Sequence, residues 1–297
     1  MADLGFDGKV AIITGAGGGL GRSHALDLAR RGALVVVNDL GGSVDGTGSG
    51  TTAAQAVVDE ITAAGGEAVA SYDSVATPEG GRTIVQTALD TWGRIDIIVN
   101  NAGILRDASF KNMDADKVNP VLDVHLRGAF NVTQPAWETM REQGYGRIVN
   151  TSSGAGIFGN FGQTNYGAAK MGLVGLTRVL AVEGAKSNIK ANAIAPVAKT
   201  RMTEDILGPV ADKLQPEMVT PVVAFLAHES CPVSGEVYSV GGGRVARVFV
   251  GVTRGVTDTA LTAETVRDRF DEIREEEGYE VPSDLNEELM LALKSLG

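Results

Sequence analysis

Cysteine is nearly missing: Cys231 is the only one among 297 residues, so no internal disulfide can form and a reducing compartment is expected. A lone thiol reads as an ordinary buried or surface residue in preference to a nucleophile. Aromatic residues reach only 5%, too few for a base-stacking surface. Positive charge is also in deficit. Lys and Arg number 26 against 37 Asp and Glu, a net charge of −11, which argues against a binder of the phosphate backbone. No nucleic-acid partner is expected. No apolar run approaches the ~20 residues that a membrane helix needs. The opening MADLGFDGKVAIITG lacks the basic and long apolar regions of a secretion signal, and the closing KSLG is no peroxisomal address. These absences predict a soluble, cytoplasmic protein without membrane contact.

Glycine is in excess. Thirty-nine in 297 residues is nearly twice the usual ~7%, which points to tight turns and close approaches of backbone to ligand. Hydrophobic residues at 43% and charged residues at 21% are ordinary for a globular chain. The negative charge is uneven: residues 258–297 hold 12 acidic and 4 basic residues, a net of −8, leaving −3 for residues 1–257. The main body can therefore carry a local basic patch for an anionic substrate.

Short apolar runs alternate with longer amphipathic segments. The runs are Val10–Thr14, Leu34–Val37, Ala68–Ser71, Ile95–Val99, Arg147–Thr151 and Ile189–Ile194. Helical patterns occupy 20–31, 52–64, 79–92, 117–142 and 164–185. Continuous apolar strands separated by helices predict an α/β fold, a Rossmann-type doubly wound parallel sheet flanked by helices. Residues 40–50, LGGSVDGTGSG, read as a mobile Gly/Ser-rich loop. Residues 1–243 are expected to form the body. Residues 244–297 form an acidic C-terminal helical extension packed on the body or on a neighbouring subunit. Within it Leu285, Leu289, Met290 and Leu293 recur at helical spacing.

The first strand runs into Thr14-Gly15-Ala16-Gly17-Gly18-Gly19-Leu20-Gly21 and then a helix. Such a turn lets a pyrophosphate approach backbone N–H groups at the positive end of the helix dipole. Asp39 ends the next strand, 20 residues past Gly19, where a carboxylate accepts both hydroxyls of an adenosine ribose. No Arg or Lys stands at 15–20 or 38–46 to favour a 2′-phosphate, so NAD is expected in preference to NADP. No metal is expected.

The wide Gly15-x-x-x-Gly19-x-Gly21 spacing resembles the short-chain dehydrogenase/reductase family. Asp73-Ser74, Asn100-Asn101-Ala102-Gly103, Ser153 and Tyr166-x-x-x-Lys170 stand in the family's order over about 240 residues. The resemblance implies coenzyme contacts from Gly15, Gly19, Leu20, Gly21, Asp39, Asp73, Ser74, Asn101, Ala102, Gly103, Tyr166, Lys170 and Pro196. It also implies catalysis by Ser153, Tyr166 and Lys170. The chemistry agrees. Tyr166 and Lys170 are four apart on a helical pattern and share a face; an ammonium nearby is expected to lower the phenol's pKa from near 10. Ser153 can hold the substrate oxygen against the phenol. One position departs from the family: His125 stands where many members carry an Asn that serves a proton relay towards the Lys. It reads either as a relay residue or as a core histidine.

Longer stretches, among them GALVVVNDLGG, HLRGAFNVTQPAW and FGNFGQTNYGAAK, resemble one subgroup. It is the (3R)-hydroxyacyl-CoA dehydrogenase part of peroxisomal multifunctional enzyme type 2, also called 17β-hydroxysteroid dehydrogenase type 4. This resemblance implies NAD-dependent oxidation of a 3-hydroxyacyl-CoA to the 3-ketoacyl-CoA in β-oxidation of fatty or steroid side-chain groups. A separate enoyl-CoA hydratase would supply the substrate. Arg106, Lys111, Lys199 and Arg201 are expected to form a basic rim for the CoA phosphates, with a mobile loop around 199–215 over the nicotinamide. The resemblance further implies a homodimer or homotetramer. Two rival readings are a dehydrogenase of 17β-hydroxysteroids or other apolar secondary alcohols, and a catalytically silent dinucleotide sensor.

Overall fold

The computed structural model describes residues 4–199 and 212–294. Eight strands form one sheet in the order β3-β2-β1-β4-β5-β6-β7-β8. They are β1 (Val10–Thr14), β2 (Leu34–Asn38), β3 (Glu67–Ser71), β4 (Ile97–Asn100), β5 (Gly146–Thr151), β6 (Ile189–Pro196), β7 (Val237–Gly241) and β8 (Arg244–Val248). Pairing is parallel from β3 through β7, with Ile12 opposite both Val36 and Ile98. β8 follows β7 after only Gly242 and Gly243, both at positive φ. Two residues cannot carry a parallel crossover, so this connection is a hairpin.

Alternation along β1 fills two cores. Ala11 and Ile13 face α1 (Gly19–Arg30), α2 (Thr52–Ala63) and α8 (Thr220–Ala227), whereas Val10 and Ile12 face α3 (Pro78–Trp92) and α5 (Gly128–Gln143). β1 is fully buried, as expected for a strand covered on both sides. α3 shows how local sequence sets an element's ends. Thr77 caps Gly80 N–H, Pro78 opens the first turn, and Gly93 closes the helix at φ 71°.

The single helical pattern expected at 117–142 is in fact broken. α4 (Ala115–Leu122) passes into a π-turn at Asp123–Arg127 before α5 begins. Pro120 lies inside α4 and has no N–H, so it leaves the carbonyl of Asp116 without its helical donor. The π-turn carries His125, which is buried. α6 (Gly154–Phe158) and α7 (Thr164–Gly184) follow β5.

The chain divides into two units, residues 1–247 and 248–297. β8 keeps residues 244–247 with the sheet, so the body extends four residues past the expected boundary. The second unit holds α9 (Ala263–Asp268), α10 (Phe270–Arg274) and α11 (Leu285–Lys294). Within it Phe249 stacks on Tyr279 at 5.5 Å and Thr253 Oγ1 donates to the Ile273 carbonyl at 2.8 Å. Among the described residues, no helix is long and apolar enough to cross a membrane.

Candidate active site

From β1 the chain winds outward through β2 to β3 and then crosses back to β4 on the other side of β1, and a crevice opens beyond the strand ends at that reversal. It is a cavity of about 470 Å³. Its lining includes Gly15, Gly19, Leu20, Asp39, Asp73, Ser74, Asn101, Ala102, Gly103, His125, Ser153, Tyr166, Lys170 and Pro196. The structure thus brings together every expected coenzyme residue except Gly21, and all four expected catalytic side chains. Gly21 lies one layer deeper. A Cβ there would stand 2.2 Å from the Gly15 carbonyl, so only glycine lets the turn close on the helix.

The donor set suits a pyrophosphate. Gly15 and Gly19 take positive φ, and Gly18 caps α1 without any side-chain bond or acid in the first turn. The helix's first N–H groups are left for an anion. Asn101 Nδ2 holds the turn from behind, donating to the carbonyls of Thr14 and Gly15 at 3.0 and 3.1 Å. Asp39 is fixed by Gly17 N–H at 2.8 Å and Gly41 N–H at 2.7 Å. Gly17 was not singled out from sequence; its Cβ would collide with the Asp39 carboxylate at 2.8 Å.

On the opposite wall, Ser153 caps α6 through Ala155 N–H at 3.2 Å. Lys170 is buried and donates to the Thr151 carbonyl at 2.5 Å, its Nζ 5.5 Å from the centre of the Tyr166 ring. Ser152 Oγ pins α7 to the end of β5 by donating to the Lys170 carbonyl at 2.8 Å. Burial pushes Lys170 down from 10.5 to about 7. Burial also raises the Tyr166 phenol, against a lowering hydrogen bond from Ser153. The expected lowering of the tyrosine by a nearby ammonium is not found: burial sets the direction, and the hydrogen bond from Ser153 is what opposes it.

His125 packs edge-on against Tyr166, ring centres 5.1 Å apart. Its Nε2 lies against the Ile104 backbone, 3.0 Å from N and 2.8 Å from O. Its Nδ1 is buried with no partner among the described residues. Burial first, then the charge of Lys170, holds the ring well below 6.5, so it is neutral at pH 7. Asn165 was missed from sequence. Its Nδ2 donates to the carbonyls of Arg106 and Lys117, both at 2.9 Å, and its Oδ1 accepts from Tyr166 N–H at 2.8 Å. A polar residue opening a helix gives no signal beyond an ordinary capping preference.

Arg106 donates to the carbonyls of Asp45 and Asp116 at 2.9 and 2.7 Å, and neither it nor Lys111 lines the cavity. Lys111 is exposed, and Lys199 pairs with Asp212 at 3.1 Å. Arg201 and most of the 199–215 loop lie outside the described residues. The 40–50 loop, expected to be mobile, is knotted by bonds of Ser43 and Asp45 to Thr47 and borders the crevice.

Similarity to known proteins agrees with this geometry. The chain is 52% identical to the mouse peroxisomal multifunctional enzyme type 2 over 91% of its own length and 37% of that enzyme's. It is 41% identical to a hydroxyacyl-CoA dehydrogenase of Mycobacterium tuberculosis, with 89% of each chain covered. The solved full-length multifunctional enzyme type 2 of Drosophila melanogaster superposes with a TM-score of 0.83 at 40% identity, over 99% of this chain and 50% of that one. The chain therefore spans about half or less of these multifunctional relatives. The short chain dehydrogenase description matches residues 9–208, from the foot of β1 across the glycine turn, Ser153, Tyr166 and Lys170. A crevice with these side chains on these strand ends, within that match, makes the chain a member of the short chain dehydrogenase family.

Proposed function

We propose that the protein oxidises a 3-hydroxyacyl-CoA, of 3R configuration, to the 3-ketoacyl-CoA with NAD. The carrying observation is Ser153, Tyr166 and Lys170 on one wall of a crevice whose other wall is an uncapped helix end and Asp39. The names of the M. tuberculosis and multifunctional relatives support the substrate class. As a family member the chain is an oxidoreductase using a nicotinamide dinucleotide, which accepts hydride from the substrate carbon when bound.

The chain's own groups handle orientation and the proton. Gly15, Gly19 and the first turn of α1 would hold the pyrophosphate. Asp39 would accept the ribose hydroxyls, and Asp73 and Ser74 would border the adenine end. Ser153 would position the substrate hydroxyl, and Tyr166 would take its proton as the phenolate, its own proton having passed first to Lys170, which burial leaves able to accept one near neutral pH. His125, neutral and with Nδ1 unpartnered among the described residues, would extend that relay. An enoyl-CoA hydratase reaction supplies such a substrate by adding water across a double bond. A cytoplasmic setting suits a chain with one buried cysteine.

A homodimer or homotetramer fits the helix surfaces. Met171, Val179 and Val182 form an exposed stripe on α7, with Phe130 exposed on α5. Ala168 and Gly175 are small residues on the outer face of α7, while Gly167, Ala169 and Gly172 pack inward. Sedimentation as a 30.8 kDa monomer at micromolar concentration would refute the assembly.

The coenzyme assignment is tested by preference. The wild type should favour NAD over NADP by about ten- to a hundredfold, equivalent to ~1.4–2.8 kcal/mol of repulsion at Asp39. Asp39→Ala with Leu40→Arg should shift that ratio towards NADP and weaken binding of both, because the carboxylate also holds Gly17 and Gly41. Equal use of both coenzymes by the wild type contradicts the role of Asp39.

A further inference from the structure

Loop 40–50 leaves the end of β2 at Asp39 and reaches the segment that follows β4. Leu105 N–H donates to the Val44 carbonyl at 2.9 Å, and a Cβ on Gly46 would lie 3.0 Å from Ile104 Cδ1. In the sheet β2 and β4 flank β1, so a loop joining their ends passes over the glycine turn between them. Its residues Leu40, Gly42, Ser43, Val44 and Gly46 line the crevice.

Arg106 fastens the far end, and the sequence explains how. Pro120 leaves the Asp116 carbonyl without a helical donor; Arg106 Nη1 takes it at 2.7 Å, while Nε reaches the Asp45 carbonyl at 2.9 Å. One guanidinium thus ties the loop to α4, using the fork geometry that a lysine lacks. Inside the loop, the Asp45 carboxylate accepts from Thr47 N–H at 3.0 Å, Thr47 Oγ1 at 2.8 Å and the Ser43 hydroxyl. These bonds hold its carboxyl at about 2. The segment after β4 is tied on its other side too: Ala108 N–H donates to the Gly162 carbonyl at 2.9 Å and Gln163 Nε2 to Asp107 at 2.7 Å.

We propose that residues 40–50 form a strap over the dinucleotide, and that Arg106 is a positioning residue for the coenzyme and not a ligand of substrate phosphates. The strap rests on the coenzyme reading of the crevice and adds to it a device that sets residence time. The coenzyme leaves only when the Val44–Leu105 pairing opens, so the effect falls on the dissociation rate.

Two independent lesions test it. Arg106→Ala cuts the tie to α4; Asp45→Ala loosens the knot without touching the carbonyl that Arg106 uses. NADH binding is read by fluorescence titration and release by stopped flow, beside KM values for NAD and a 3-hydroxyacyl-CoA. Both variants should bind NADH roughly tenfold more weakly and release it faster, about 1.4 kcal/mol. The acyl-CoA KM should stay within about twofold, and Arg106→Lys should fall between. NADH affinity and release like wild type in both variants overturn the strap. A raised acyl-CoA KM with coenzyme affinity kept, in Arg106→Ala alone, overturns it in favour of the substrate rim. Failure of the wild type to bind NADH would refute the coenzyme reading itself, and the strap with it.

Discussion

Lys170 sits at 3% exposure, and among the described residues its Nζ has the Thr151 carbonyl as partner, so burial lowers its pKa. Its depressed pKa has a consequence for the protein without ligand. Between about 7 and 10.5 the unfolded chain binds a proton at this lysine that the folded chain does not. The unfolded state carrying more protons means stability rises with pH across that window. Urea midpoints of the wild type should therefore climb from pH 7 to pH 9.5 relative to Lys170→Met, in which this contribution is gone. Parallel curves for the two proteins would show that the lysine keeps its ordinary charge in the fold. The same desolvation explains why the Tyr–Lys pair was legible as a motif and its electrostatics were not. Spacing places both residues on one helix face, but only the fold reveals that Thr151, His125 and the end of β5 shut water away from them.

At the scale of elements, the helix that carries Tyr166 and Lys170 is held by groups that sequence reasoning passed over. Asn165 joins α7 to the carbonyls of Arg106 and Lys117 from a buried position. Asn165→Ala would leave two carbonyls and the Tyr166 N–H short of partners, at about 1–3 kcal/mol. Chemical denaturation should show that loss, and kcat should fall by about tenfold as Tyr166 shifts. Unaltered stability and kcat would mean the bonds are dispensable. Six strands and five helical stretches were readable because apolar β-branched runs and helical periodicity are strong local signals. The break at Asp123–Arg127 was not, since helical periodicity runs through it unchanged; Pro120 in the preceding turn was the one local signal. β7 and β8 were missed for a related reason: Val237–Gly241 and Arg244–Val248 are short, mixed in polarity and lie near the sheet's edge. The ties of the 40–50 loop were not legible because glycine content reports flexibility of the free chain, whereas Arg106, 56 residues beyond the loop's last residue, reaches it only through the fold.

For the molecule as a whole, the sheet order does most of the functional work. Reversal at β1 and β4 opens one crevice, the glycine turn and Asp39 supply one wall, and β5 with α7 supplies the other. The central claim is that this crevice oxidises a 3-hydroxyacyl-CoA with NAD. The most direct measurement is NADH absorbance during incubation of the protein and NAD with 3R and 3S 3-hydroxyacyl-CoAs, beside a 17β-hydroxysteroid and the variant Tyr166→Phe. The account predicts turnover of the 3R thioesters in preference to the 3S forms and the steroid, with a loss of about 10²–10⁴-fold in Tyr166→Phe, which still binds NADH. Turnover of the steroid alone, or of the thioesters equally well without the Tyr166 hydroxyl, would contradict it.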